Sequence, residues 1–166
     1  MEHNLSFTYY KAPFGWMKIA ASDIGIAELL FAGSPAKQKG ESIFFSECIK
    51  QLDEYFNKKR NIFTIPLDLQ GTDFQKRVWN ELLKIPYGKT ISYMQLAINL
   101  GDKKSIRAAG TANGKNPVAI IVPCHRVIGS NGDLVGYGGG LDKKKWLLEH
   151  EGVWMHKELF TQDELK

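Results

Sequence analysis

The sequence predicts an α+β chain in two parts, a small β-meander with one helix followed by a mostly helical part carrying a helix-turn-helix. Three observations predict it. Residues 5–32 hold three short runs rich in β-branched and aromatic side chains, separated by turn signals. Residues 41–58 repeat apolar side chains at helical spacing. Beyond residue 71 the texture changes to short, basic, glycine-punctuated segments with capping residues at their starts. The boundary falls there, giving an N-terminal supporting domain over 1–71 and a C-terminal domain over 72–166.

The totals narrow the function classes. At 166 residues the chain can bury a real core, in one domain or two small ones. Its hydrophobic content of 43% is ordinary for a soluble protein, and no apolar run approaches the ~18 residues of a membrane span. The start, Met1-Glu2-His3-Asn4-Leu5, has neither a basic nor a long apolar leader region. Two distant cysteines, Cys48 and Cys124, do not make a disulfide framework and fit a reducing cytoplasm. His3, His125, His150 and His156 are scattered without metal-ligand spacing, so neither metal nor cofactor is expected.

The net charge of +4 lies wholly beyond residue 71. Between Lys84 and Arg126, the cations Lys84, Lys89, Lys103, Lys104, Arg107, Lys115 and Arg126 face one acid, Asp102. That excess suits a polyanion. A lysine-rich solvated surface is the equal alternative on charge alone.

Each element has its own signal. Leu5–Tyr10, Met17–Ala21 and Ile26–Phe31 read as strands, the last two flanking the turn Ser22-Asp23-Ile24-Gly25. In the helix over 41–58, Ile43, Phe44, Cys48, Leu52, Tyr55 and Phe56 form an apolar stripe, with Glu47, Lys50, Gln51 and Glu54 between them. Cys48 reads as a core thiol. Ile62–Leu67 is another extended piece. Thr72 followed by Gln75 opens a helix carrying Phe74, Val78, Leu82 and Ile85 on one side, ended by Pro86-Tyr87-Gly88. Ser92 with Gln95 opens the next, and Gly101 breaks it. Asp102 caps a third over Lys103 to about Asn113, the second helix of the helix-turn-helix. Lys103, Arg107 and Thr111 share one face there, and Ala108 and its small neighbours allow close approach to a groove or to another helix. The last helix, from Leu141 to about His150, carries Trp146, Leu147 and Leu148 inward and Lys143, Lys144 and Lys145 outward; Glu151-Gly152 closes it, and a polar tail follows Trp154.

The chemistry concentrates on Val118-Ala119-Ile120-Ile121-Val122-Pro123-Cys124-His125-Arg126. The apolar run reads as a buried strand or extended segment, and Pro123 keeps Val122 extended, so Cys124 is presented at a defined place. An isolated cysteine of this kind is more often an inert core thiol. A nucleophile needs a base or a positive neighbour, and that base needs a partner to hold it. His125 and Glu151 supply candidates. Neighbouring side chains of an extended segment point apart, so Cys124 and His125 meet only through a turn or a water. Ser130-Asn131-Gly132 is a hairpin turn signal. Gly138-Gly139-Gly140 either exposes backbone N–H groups to a ligand or merely leads into the last helix. The residues alone therefore leave open a thiol acceptor, a cysteine hydrolase with the glycines as its oxyanion hole, and a DNA-binding helix-turn-helix protein with an inert cysteine.

Three blocks together resemble the O6-alkylguanine-DNA alkyltransferases: Pro123-Cys124-His125-Arg126-Val127, Asn116-Pro117 upstream, and Tyr137-Gly138-Gly139-Gly140 running on to Trp146-Leu147-Leu148-Glu149-His150-Glu151-Gly152. The resemblance covers about residues 72–152 strongly and the N-terminal part in outline. It implies a ribonuclease-H-like N-terminal domain and a winged-helix-like C-terminal one. The implied activity is direct-reversal repair of duplex DNA in the cytoplasm, by a monomer that sits on the minor groove and flips out O6-alkylguanine, with O4-alkylthymine as a second substrate. The alkyl group passes to Cys124 in a single turnover, without cofactor or metal. His125 takes the thiol proton through a water, Glu151 orients His125, and Asn116 shapes the turn around the cysteine. Tyr93 rotates the nucleotide phosphate and protonates the leaving guanine, with Lys144 assisting. Arg107 fills the vacated stack, while Lys103, Lys104, Ala108, Thr111 and Arg126 belong to the DNA-binding set. Val127, Val135, Tyr137, Gly138 and Gly139 line the base pocket. Many relatives have serine where Gly138 stands, so a hydroxyl donor to the lesion oxygen is missing here.

Overall fold

The computed structural model describes residues 4–153. The chain forms two compact units, one made of the chain up to Thr72 with Pro117–Ile121, the other of Asp73–Asn116 with the chain from Val122 onward. The mixed α+β class is the one the sequence predicts.

In the first unit, β1 (Ser6–Ala12), β2 (Gly15–Ala21) and β3 (Ile26–Phe31) form an antiparallel meander in the order β1-β2-β3. The turn after β2 closes through Ser22 N–H to the Gly25 carbonyl. Met17 and Ile19 of β2 and Ile26 and Leu29 of β3 are fully buried. Helix α1 (Phe45–Phe56) buries Cys48, Leu52 and Tyr55. It is shorter than the 41–58 expectation, and Ile43, assigned to its stripe, lies ahead of it and is 85% exposed. Gln51, read as a surface residue, is buried instead. Its carboxamide accepts from the Thr64 and Ile65 N–H groups and donates to Thr64 Oγ1, which satisfies an extended segment that has no strand partner there.

The apolar run 118–122 is buried but is not a strand. Only Val118 bridges β3, with Leu29 N–H on the Pro117 carbonyl and Ala119 N–H on the Leu29 carbonyl. Ile121 N–H then bonds back to the Ala119 carbonyl around Ile120, whose φ of 71° is left-handed. A β-branched residue in that region is strained. A second tight turn follows, with Cys124 N–H on the Val122 carbonyl around Pro123. Burial alone made this run look strand-like; an apolar stretch buried on all sides has no periodicity that separates a strand from a buried turn.

In the second unit, α2 (Asp73–Leu82) ends one turn earlier than expected, and Ile85 is buried from the turn beyond it. Strand β4 (Ile91–Ser92) leads into α3 (Tyr93–Asn99), capped by Ser92, whose hydroxyl accepts from Gln95 N–H at 3.0 Å. Asp102 caps the following segment through Lys104 N–H at 2.9 Å. That segment is a 3₁₀ turn, Lys103–Ser105, continued by α4 (Ile106–Gly114). Trp79 of α2 donates to the Ala112 carbonyl of α4. The chain then forms a 3₁₀ turn at Cys124–Arg126 and strand β5 (Val127–Ile128), which pairs parallel with β4. The Ser130–Gly132 turn closes through Gly129 N–H to the Asp133 carbonyl, but among the described residues no returning strand pairs with β5. Helix α5 (Leu141–His150) completes the described unit. The expected polar tail beyond Trp154, with His156, lies outside the described residues, as does His3.

Candidate functional site

The second unit gathers Asn113, Asn116, Cys124, His125, Arg126, Lys144 and Glu151 around one buried centre. Asn116 Nδ2 donates to the Val122 carbonyl at 2.7 Å, and Asn113 Nδ2 reaches the Cys124 carbonyl at 3.4 Å. Both amides thus fix backbone on the two sides of Pro123. The 3₁₀ turn at Cys124–Arg126 is the turn that sequence could not place, and it buries all three side chains.

His125 is 0% exposed. Its Nε2 lies 2.8 Å from Glu151 Oε2, while its Nδ1 has no partner among the described residues. Burial pushes the imidazole down, with Arg126 and Lys144 adding to that, against the upward pull of Glu151. The ring is therefore neutral near neutral pH. Burial alone would raise the Glu151 carboxyl, but His125 and Arg126 beside it outweigh that and hold it well below the usual carboxylate range. Burial raises the Cys124 thiol, opposed by the hydrogen bond from Asn116 and the charge of Lys144. Desolvation of the buried thiol outweighs the stabilisation that these neighbours give its thiolate.

Two basic residues stand elsewhere than sequence suggested. Lys144, read as outward, is 0% exposed, and its ammonium donates to the Val127 carbonyl at 2.7 Å and the Val135 carbonyl at 2.9 Å. It shares the inward face of α5 with Leu147, Leu148 and Glu151, at i, i+3, i+4 and i+7. Burial lowers its pKa to about 8. Arg126, assigned to the DNA-binding set, is buried against Glu151 and the Ile85 carbonyl and has no surface to offer a phosphate. The residue pattern turned both outward because a cation next to other cations reads as solvated; for Lys144 the resemblance had already implied a place at the leaving base.

Tyr93, at the start of α3, donates to the Val135 carbonyl at 3.0 Å, and the Lys144 ammonium lies 5.7 Å from its ring. Burial raises its pKa. Val127 is buried, and Val135 is 48% exposed. Tyr137 keeps its hydroxyl buried, and burial raises it well above its ordinary value. A Cβ on Gly138 would meet nothing nearer than the Gly114 carbonyl at 3.9 Å, so the missing hydroxyl has room. Gly139 accepts Lys143 Nζ through its carbonyl. Lys103, Lys104, Arg107, Ala108 and Thr111 are all exposed on α4 and the turn before it. Asn113, buried and with no partner for its Oδ1 among the described residues, was not singled out from sequence; an asparagine among small helical residues gives no signal by itself.

Two family models match the chain: 6-O-methylguanine DNA methyltransferase, ribonuclease-like domain, over residues 5–69, and the DNA binding domain of the same family over residues 73–153. A methylated-DNA–protein-cysteine methyltransferase of Methanosarcina acetivorans is 43% identical over 152 residues, spanning 88% of this chain and 97% of the relative. The chain belongs to the 6-O-methylguanine DNA methyltransferase family. It is a methyltransferase of direct-reversal DNA repair whose acceptor is a cysteine of the protein itself. The crystal structure of the Mycobacterium tuberculosis O6-methylguanine methyltransferase has a TM-score of 0.81 at 42% identity, covering 89% of this chain and 92% of that one. A further Mycobacterium tuberculosis structure, in complex with DNA, has a TM-score of 0.80 at 44% identity, covering 87% and 91%. This membership removes the hydrolase and inert-cysteine readings. Among the described residues no helix is long and apolar enough to cross a membrane, and no three His, Cys, Asp or Glu side chains gather as metal ligands.

Proposed function

We propose that this methyltransferase binds duplex DNA as a monomer, flips an O6-alkylguanine from the stack, and takes the alkyl group onto Cys124 in one turnover. The observation that carries the reading is the buried His125 that follows Cys124, tied by Nε2 to Glu151, with no partner at Nδ1 among the described residues. Such a ring is a proton acceptor, and a water between it and the thiol completes the relay. The thiol proton passes through that water to Nδ1. The sulfur attacks the alkyl carbon as the carbon–oxygen bond breaks, and the Tyr93 hydroxyl protonates the departing guanine, which leaves neutral. Solvent then returns the proton from His125 to Tyr93. Lys144 assists at the leaving base, and Asn116 holds the turn that presents the sulfur.

Exposed Lys103, Lys104, Arg107 and Thr111 supply the DNA face, with Arg107 filling the vacated stack. The small side chain of Ala108 and the glycine at 110 allow α4 into a minor groove that reads little sequence. Extrusion costs a few kcal/mol, roughly, and least at a badly paired lesion. Val127, Val135, Tyr137, Gly138 and Gly139 would surround the base. O4-alkylthymine follows as a second substrate, since its alkyl carbon is likewise bonded to an exocyclic oxygen of the base. No cofactor is needed. The first domain (1–71) supports the second (72–166), and the working place is the cytoplasm, on the nucleoid.

Intact mass after incubation with a duplex containing O6-methylguanine tests this. The expected result is a stoichiometric gain of one methyl, mapped to Cys124. Cys124→Ala should gain none while still binding the duplex. Transfer to Cys48, or repeated turnover, would overturn the reading.

A further inference from the structure

Arg126 was expected on the DNA surface, yet it stands inside the site. Its Nε lies 2.7 Å from Glu151 Oε1 and one terminal nitrogen 3.1 Å from Glu151 Oε2, while the other terminal nitrogen donates to the Ile85 carbonyl at 2.7 Å. The Tyr87 ring lies 5.8 Å from the guanidinium. Glu151 Oε2 also meets His125 Nε2, so both carboxylate oxygens are engaged. An ionised carboxylate can only accept. The hydrogen between Glu151 and His125 therefore sits on Nε2, which leaves a lone pair on Nδ1 of the neutral ring. That arrangement requires Glu151 to stay ionised, and a guanidinium, always protonated and forked, is the group suited to enforce it.

We propose that Arg126 is a positioning residue for the transfer: its two-point hold on Glu151 fixes His125 in the tautomer whose Nδ1 can take the Cys124 proton. The proposal rests on Cys124 as acceptor and His125 as base. Among the described residues, two cations and two tyrosines stand around the pair. Lys144 and Arg126 face His125 and disfavour its charged form, and Tyr87 and Tyr137 stand near Glu151. Removing Arg126 takes away one of the two cations that keep the imidazole neutral. His125 should then protonate at a higher pH, and activity should be lost sooner on acidification.

The test begins with the parent protein. Nitrogen-15 spectra of the labelled histidines at neutral pH should show His125 protonated at Nε2 and bare at Nδ1; the opposite tautomer would overturn the proposal without any variant. Single-turnover methyl transfer from an O6-methylguanine duplex is then followed across pH 5–9 for Arg126→Met and Arg126→Lys. The Met variant should lose at least ~10-fold in rate, on the scale of general-base catalysis, with its acid limb moved to higher pH. The Lys variant keeps the charge but cannot span both oxygens, so its limb should stay at the parent's position while the rate falls. A rate loss without movement of the acid limb in Arg126→Met would reduce Arg126 to a structural role. Duplex affinity, measured in a Cys124→Ala background, should be the same with and without Arg126→Met; a clear loss would restore the phosphate-contact reading. If Arg126→Met does not fold, the Lys variant and the parent's tautomer decide. A parent that transfers no methyl at all would sink the proposed function, and the tautomer spectrum would still judge Arg126 separately.

Discussion

The two cysteines differ by their surroundings, and so should their chemistry. Cys48 lies in the first unit's core, where burial pushes it up to about 12, so its thiolate is scarce at any physiological pH. Cys124 is also raised, but Asn116 and Lys144 oppose the rise. In the folded protein a small alkylating reagent should modify Cys124 before Cys48, at a rate that climbs steadily from pH 7 to 10 as the thiolate forms. Methyl transfer from DNA should behave differently. The Lys144 pKa is depressed from its ordinary value of 10.5 to about 8, so its charge is lost as pH rises through 8. Between those two values the unfolded chain binds more protons, so the cost of burying the ammonium is relieved as pH rises across that window. If the ammonium helps the leaving base, parent transfer should pass through a maximum and fall above pH ~8, and Lys144→Met should lose that fall. A parent profile that keeps rising with the reagent's would deny Lys144 the role. At this scale Cys124, His125 and Glu151 were legible, because a motif with fixed spacing carried them. Arg126 was not, and Lys144 only through the resemblance, because nothing in a run of cations says which one is turned inward.

The helix-turn-helix was the most legible element, and the reason is local. Ser92 and Asp102 satisfy backbone N–H groups within three residues of themselves, so their signal survives without knowledge of the fold. Ser92→Ala should therefore cost about 1 kcal/mol. It would appear as a lowered urea midpoint with an unchanged slope. The same substitution should leave the order of cysteine reactivities intact, because Cys124 is held by Asn116 rather than by α3. A midpoint shift near zero would mean that the Gln95 N–H is served equally by water. Elements shaped by long-range contacts were less legible. The 118–122 run looked like a strand because it is apolar throughout, but its backbone folds around Ile120, and Gln51 is buried because an unpaired extended segment needs its amide. The amides that Gln51 serves are distant in sequence, and the turn at Ile120 lies within an unbroken apolar run without glycine or polar residues, so no local pattern announces either.

For the whole molecule, the charge asymmetry between the two halves was readable from the sequence, and the structure refines what it can do. Of the cations between Lys84 and Arg126, Arg126 is withdrawn into the site, and Lys84, Lys89, Lys103, Lys104, Arg107 and Lys115 remain exposed. These six, all in the second unit, set the upper limit that this cluster can contribute to phosphate contacts. Each neutralised phosphate contributes about −0.9 to the slope of log affinity against log salt on duplex DNA. The slope for undamaged duplex should thus lie between roughly −2 and −5, the lower figure allowing for cations turned away from the groove. Cys124→Ala is the suitable background, because transfer cannot then consume the protein during titration. Lys104→Ala, at an exposed side chain with no part in the buried site, should flatten the slope by about 1 and weaken damaged and undamaged duplexes alike. Arg107→Ala should weaken the damaged duplex more, since filling the vacated stack is a task only a flipped base creates. Equal losses on both duplexes would reduce Arg107 to one more phosphate contact, and a flat salt response would remove the cluster from the DNA face.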